Sequence, residues 1–320
     1  MKKLVAGALL LGLATLSMAQ GWPSAKPIRL IVGYPPGGGI DFAARTVQVP
    51  LQEALKQQIV VDYKPGAGGM LAATELTRAA PDGYTLLLAN TGPFAIAPYL
   101  QRKMPYEPLK QFSYIGQISQ GSYIAVTRPD HPAKDLKDWV AWAKANPGKV
   151  NFASGGAGTS THLNGELMNQ ATGLDVTHVP YKGSAPAVQD LIGGQTQLLI
   201  DAGPVLLPQI KGGKLKALAV TGPRRDPQLP DVPTVGELGF AAMESVGFQG
   251  LVGPAGLPKE VVDMLATELA KVLAQADVKA KFASTGSEVH SLGPVEFFSF
   301  VKGENEKWAR LIRERKLELD

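Results

Sequence analysis

The chain has no cysteine. That excludes a disulfide framework, a thiol nucleophile and a thiol that could carry a lipid. Histidine is scarce: the four, at 131, 162, 178 and 290, include no His-x-x-x-His pair, so no metal motif is present. Charge of one sign is lacking too. The net formal charge is +4, and 32 basic residues less Lys2 and Lys3 of the leader leave 30 against 28 acidic ones. Such a balance offers no polycationic footprint for DNA or RNA. Nucleotide loops are absent: no Walker A run occurs, and the glycine turns fail Gly-x-Gly-x-x-Gly because positions 42, 71 and 161 hold Phe, Leu and Thr. The serine elbow fails as well, since Gly158-Thr159-Ser160-Thr161 is followed by His162 instead of glycine. No repeat of fixed period is visible.

Long apolar runs are nearly absent. The main one, from Leu4 to about Leu16, is shorter than the roughly 18–20 residues a membrane span needs. It follows Lys2 and Lys3 and precedes Ser17-Met18-Ala19, which is the composition of a secretory leader. Cleavage after Ala19 and export to the periplasm are expected. Lack of cysteine does not oppose export, because 320 residues, 45% of them hydrophobic, can build a core without crosslinks.

What the chain does have is a recurring unit: an apolar β-prone run, a glycine-crowded turn, and a helical pattern at once behind it. The unit occurs at 31–45, IVGYPPGGGIDFAAR, and at 150–168, VNFASGGAGTSTHLNGELM. Such turns collect unpaired backbone N–H groups at the positive end of a helix, where an anion is favoured. Strand, turn and helix alternate from residue 28 onward, predicting an α/β protein with mostly parallel sheets. The first series places strands at 28–34, 59–63 and 84–89, with helices at 41–56 and 70–80. A second starts near Ser122 with strands at 123–127, 150–153, 176–179, 196–201 and 215–220. A strand-like run at 244–253 returns the chain to the first lobe, and two long amphipathic helices at 259–282 and 294–317 close it. Two crossings, at 119–122 and 245–250, predict a two-stranded hinge.

Several residues fall at the strand ends, where ligands of open α/β sheets bind. Asp41 stands where a helix cap belongs, and Arg45, one turn on, could pair with it. Ser154, Thr159, Ser160 and Thr161 put hydroxyls beside the second-lobe turn. His162 could donate to a ligand oxygen or bond to a neighbouring loop. Lys64 and the turn 64–69 make a third anion-friendly loop. Asn90, Thr91 and Phe94 follow the third strand, while Tyr34, Tyr181 and Phe248 could line a cleft or pack in the core. Asp201, closing an apolar run, could receive an amine or hydroxyl of a ligand, or cap the next helix. A Ser160, His162, Asp201 triad can be drawn, but residues two apart on a helix project in different directions.

The segments YPPGGGIDFAAR, YKPGAGG, APDGYTLLLAN, SGGAGTSTHLNGELM and VPYKGSAPAVQDLIGGQTQLLID, together with the terminal helices, give the chain a resemblance to a known family. It resembles the periplasmic solute receptors of the tripartite tricarboxylate transporter system, the Bug family, over essentially all residues behind the leader. The resemblance implies a type II periplasmic binding protein, a Venus flytrap of two lobes joined by a two-stranded hinge. Residues 1–19 would be the signal peptide, 20–121 and 248–320 the first lobe, and 122–247 the second. It implies capture of a small carboxylate, di- or tricarboxylic or aromatic, with no cofactor, no metal and no catalysis. Delivery to membrane permease components follows, with a sensor kinase as a further conceivable partner and a monomer as the expected state. Carried over by position, the ligand contacts would be Tyr34, Gly38, Gly39, Ile40, Asp41, Gly68, Gly69, Ser154, Gly158, Thr159, Ser160, His162 and Asp201, to which the residues themselves add Asn90. Many members have Phe at the place of Tyr34 and a small or hydroxyl residue at that of Ile40. The rival readings are a secreted hydrolase using Ser160 and His162, and a receptor that presents its ligand to a membrane sensor.

Overall fold

Strand β1 (Ile28–Val32) is buried along nearly its whole length. That is what a parallel strand covered on both faces requires. It lies between β2 (Ile59–Tyr63) and β3 (Thr85–Asn90), parallel to both. In this computed structural model residues 22–317 are described, so the predicted leader and its cleavage after Ala19 lie outside the described residues. Side chains alternate across β1. Leu30 and Val32 face α1 (Gly39–Leu55) and α8 (Lys259–Ala274), packing on Ala44, Val47, Leu265 and Leu269. Ile31 faces the opposite layer, with Ala72 and Leu76 of α2 (Met70–Leu76), Phe94, and Trp308 of α10 (Pro294–Arg315). Phe94 sits in a π-type turn, Gly92–Ile96, that runs into the short α3 (Ala97–Leu100).

The chain crosses to the second lobe on β4, a single strand of 16 residues, Phe112–Thr127. The pattern predicts its last five residues as a strand and 119–122 as a hinge crossing, and leaves its first half unassigned. Two register shifts, between Tyr114 and Gly116 and between Gln117 and Ser119, break the period of two in its first half. Beyond it come α4 (Leu136–Lys144), β5 (Asn151–Ser154), α5 (Ser160–Thr172), β6 (Thr177–Pro180), α6 (Ser184–Ile192), β7 (Leu198–Ala202), α7 (Gly203–Lys211) and β8 (Lys216–Val220). The chain returns on β9 (Val246–Pro254).

Hydrogen-bonded order is β2-β1-β3-β9-β4 in the first lobe and β6-β5-β7-β4-β8 in the second. The two orders are the same once each fourth strand is recognised as the one that has just crossed over. The lobes therefore share β4 and β9, which pair antiparallel through Ser119 with Gln249, Gln120 with Phe248, Gly121 with Gly247 and Ser122 with Val246. A short β10 (Ser287–Val289) adds to β4 at this crossing.

The predicted helix over 259–282 is two helices. Gln275 is extended (φ −63°, ψ 136°), and α9 (Ala276–Ala283) starts behind it at a new angle. The break lets Val278 and Phe282 join the core beneath α1, where the Phe282 ring meets Phe42 edge-on at 5.7 Å.

Helix α5 carries a glycine in its interior, which ordinarily lowers stability by about 1 kcal/mol relative to alanine. Here a Cβ on Gly165 would stand 2.1 Å from the Phe152 ring. We therefore expect Gly165→Ala to destabilise the fold by about 1–3 kcal/mol, the range for overpacking, despite the gain in helix propensity. Equilibrium urea unfolding checks the sign; a stabilised variant would mean that the ring has room to move.

A closed cleft lined by helix N-termini

Four helices begin at one space between the lobes. From the first lobe, the turn after β1 brings Gly38, Gly39 and Ile40 at the start of α1. From the second come Thr159, Ser160 and Thr161 at the start of α5, Gly183, Ser184 and Ala185 at the start of α6, and Asp201 and Ala202 at the start of α7. None of α1, α6 and α7 has a side chain capping its first amides. Those donors, and the dipoles behind them, are left for whatever fills the space. Asn90, Thr91, Tyr34, Tyr123 and Phe248 complete the wall. The cavity measures about 100 Å³, room for about seven to ten water-sized groups.

The lobes touch around this space. A Cβ on Gly39 would lie 3.5 Å from the Ala202 methyl, one on Gly183 3.6 Å from Pro35, and one on Gly68 3.3 Å from the Ala157 carbonyl oxygen. Farther out, Leu163 and Leu167 of α5 pack into the first-lobe core with Phe248 and Trp308. The Thr91 hydroxyl accepts the Phe248 amide at 3.1 Å, and the buried Tyr123 hydroxyl is engaged by Thr91 and Ser160. Tyr123 thus ties one lobe to the other.

Each glycine turn is held from behind by a polar side chain. Tyr34 donates to the Gly68 carbonyl at 2.7 Å and accepts from Asn90 Nδ2 at 3.2 Å, with burial pushing its phenol up to about 12. Asp41 accepts the Gly37 amide at 2.9 Å and Arg45 Nε at 2.8 Å, and is also bonded by Tyr63. In the second lobe His162 Nδ1 accepts the Gly158 amide at 3.3 Å, which leaves its proton on Nε2, 3.9 Å from Glu166. The His178 ring stacks on His162 with centroids 3.9 Å apart, and its Nε2 lies 2.6 Å from Ser154 Oγ. Burial pushes His162 down to about 4. Burial and the neighbouring ring push His178 down to about 3. Both imidazoles are neutral struts at physiological pH.

A family described as tripartite tricarboxylate transporter family receptor matches residues 43–317. The chain belongs to this family. Protein BugT of Bordetella pertussis is 34% identical over 95% of this chain and 93% of its own. A Rhodopseudomonas palustris protein solved with adipate is 29% identical, with a TM-score of 0.89 over 93% of this chain and 99% of that one. MatC of Rhodopseudomonas palustris, solved with bound malate, is 30% identical, with a TM-score of 0.86 over 90% and 99%.

Of the residues singled out in this receptor-family sequence, Tyr34, Gly38, Gly39, Ile40, Asn90, Thr159, Ser160 and Asp201 line the cavity together. Asp41, Gly68, Gly69, Ser154, Gly158 and His162 stand one layer behind and shape the loops. The cap of α1 is Gly38, and Asp41 reaches back to Gly37 from the first turn. Phe94 is fully buried against Phe112, and Lys64 lies 3.7 Å from Asp62. The drawn triad is not assembled, since Ser160 is engaged by Tyr123 and His162 by Gly158. Among the described residues no cluster of His, Asp or Glu could hold a metal, and no helix is long and apolar enough to cross a membrane. The turn 182–186, Tyr123 and Gln249 also line the cavity and were not predicted. The turn could have been found, because VPYKGSAP repeats the strand, glycine and helix order of the other two loops.

The histidine pair makes this loop acid-sensitive. Both folded values lie below the ordinary 6.5, so their stabilising contribution is present above pH 6.5 and is lost as pH falls toward 4 and then 3. Each histidine should contribute a slope of about 1.4 kcal/mol per pH unit within that window. Urea unfolding at pH 6 and 5 should show a slope shallower by about that amount in His178→Gln than in the unmutated protein. Equal slopes would mean that His178 is already protonated in the folded state.

Proposed function

We propose that this chain is a periplasmic solute receptor that closes its two lobes on one small carboxylate and delivers it to the membrane permease of a tripartite tricarboxylate transporter. The observation that carries this reading is the meeting of helix N-termini from both lobes, three of them without side-chain caps, around a cavity of about 100 Å³ between the lobes. Backbone donors there suit an oxyanion better than a cation or a neutral sugar. The volume suits a small acid, and the adipate and malate held by the two relatives are guests of that class. Phe248 and Tyr34 along the wall leave an aromatic acid within the class. The protein binds without turnover, acts as a monomer, and reaches the periplasm by cleavage after Ala19. Its hinge is the β4 and β9 crossing, with lobe boundaries at 121/122 and 247/248. A guest touching both lobes stabilises the closed form by its differential contacts.

Thermal-shift screening against aliphatic di- and tricarboxylates and aromatic acids tests the reading. A true ligand at a hundred times its Kd should add about 2.7 kcal/mol of stability, and hence raise the midpoint by several degrees. Sugars and polyamines should leave it unmoved. A shift by neutral sugars with none by any acid would refute the ligand class.

A further inference from the structure

Asp201, at the carboxyl end of β7, is 3% exposed and forms part of the cavity wall. Its Oδ1 accepts the Ala202 amide at 2.7 Å, whereas Oδ2 is buried without a hydrogen-bond partner. A buried carboxylate oxygen left unpaired is costly and requires a partner when the site is filled. No protein atom meets hydrogen-bond geometry with Oδ2, although the Ser184 hydroxyl stands near enough to act on the carboxyl. The Tyr34 hydroxyl gives its proton to the Gly68 carbonyl, and the Tyr123 hydroxyl is engaged by Thr91 and Ser160. Asp201 therefore lies beside two phenols whose hydrogen bonds are made elsewhere. Ser184, from the start of α6, acts on it as a hydrogen-bond donor that favours the ionised form, and burial outweighs that effect. Lys182, the one basic side chain of the lining, is exposed and does not figure among the groups acting on Asp201. Glu304, on α10, acts on Tyr123 from behind and brings no positive charge.

Given the carboxylate guest proposed above, on which this inference rests, Asp201 would meet one carboxylate of the guest with no cation in contact with either. Two carboxylates in direct contact, with no cation between them, do not both stay ionised. We propose that Asp201 enters the closed, loaded receptor as the neutral acid, its Oδ2–H donating to one carboxylate oxygen of the guest, so that capture of each dicarboxylate takes up one proton. The proton comes from solvent and rests on Oδ2; the guest stays a dianion, held at that end by a hydrogen bond in place of a charge pair. Burial pushes the Asp201 carboxyl up to about 6, and a second negative charge beside it raises its proton affinity further. His162 and His178, pushed far below neutrality, contribute no protons above pH 7. Asp201 is then a specificity residue. It favours guests that accept a hydrogen bond at that point, and it makes affinity follow pH.

The test is isothermal titration calorimetry with succinate, glutarate and adipate, which carry no donor of their own at neutral pH. Each is titrated in phosphate and in Tris, buffers of very different ionisation heat, from pH 7 to 9. The expected result is uptake of close to one proton per acid bound, with Kd weakening about tenfold for each pH unit. Asp201→Asn retains a neutral donor, so its uptake should vanish, its Kd should be flat in pH, and at pH 9 it should bind more tightly than the unmutated protein. The proton count in the unmutated protein decides the matter even if the variant does not fold. Binding of these acids without proton uptake would overturn the inference and leave the carboxylate receptor standing. Binding confined to acids with a hydroxyl or ammonium, such as malate or aspartate, without uptake and lost in Asp201→Asn, would also overturn it, by making Asp201 an ionised acceptor. If no acid binds at any pH, the inference falls together with the proposed ligand class.

Discussion

Unpaired backbone amides at the starts of helices, aimed from two lobes into one space between them, are the constraint on which the rest of the structure depends. An amide cannot be repositioned by a rotamer change. To aim it, the protein must fix the strand before the turn, the helix after it, and the angle between two lobes. The parallel strands β1 and β5 give the turns their origin, and the shared pair β4 and β9 sets how the lobes face each other. Because donors of this kind need no lysine or arginine, a chain with almost balanced charge can present an anion-friendly cleft.

Such loops need support, since glycine-rich turns are loose on their own. The support is polar and comes from behind. Tyr34, Asp41 and His162 each spend a hydrogen bond on a backbone atom of a glycine turn, and their positions outside or at the edge of the cavity follow from that duty. The stack of Phe152, His178 and His162 extends the support into the second-lobe core, where Gly165 leaves room for the phenyl ring. The cavity wall and the hydrophobic core are therefore one continuous packing problem, and a change such as a methyl group at Gly165 reaches the loop through two rings.

Much of this was legible in the residues. Apolar runs followed by glycine clusters and amphipathic helices mark the strand-turn-helix units, because a buried parallel strand must be apolar and a tight turn over a ligand must be small. What was not legible has physical causes. The first half of β4 carries two register shifts and a buried Gln117, which erase its alternation. The break at Gln275 has no proline or glycine to announce it; it exists because Val278 and Phe282 pack elsewhere. Most of all, a loop residue's side is not encoded in its spacing. His162 and Ser160 share a turn, yet one holds the loop and the other faces the cavity. Tyr123, buried in a strand, reads as core until the second lobe is folded onto the first.

The contacts of the helix-start amides are read most directly from a crystal structure of the receptor with an acid identified by screening. The expected result is a guest whose carboxylate oxygens lie within about 3 Å of the first backbone amides of α1 and of α6, bridging the lobes with no lysine or arginine in contact. A guest held chiefly by Lys182 or another cation, or bound away from those amides, would contradict it.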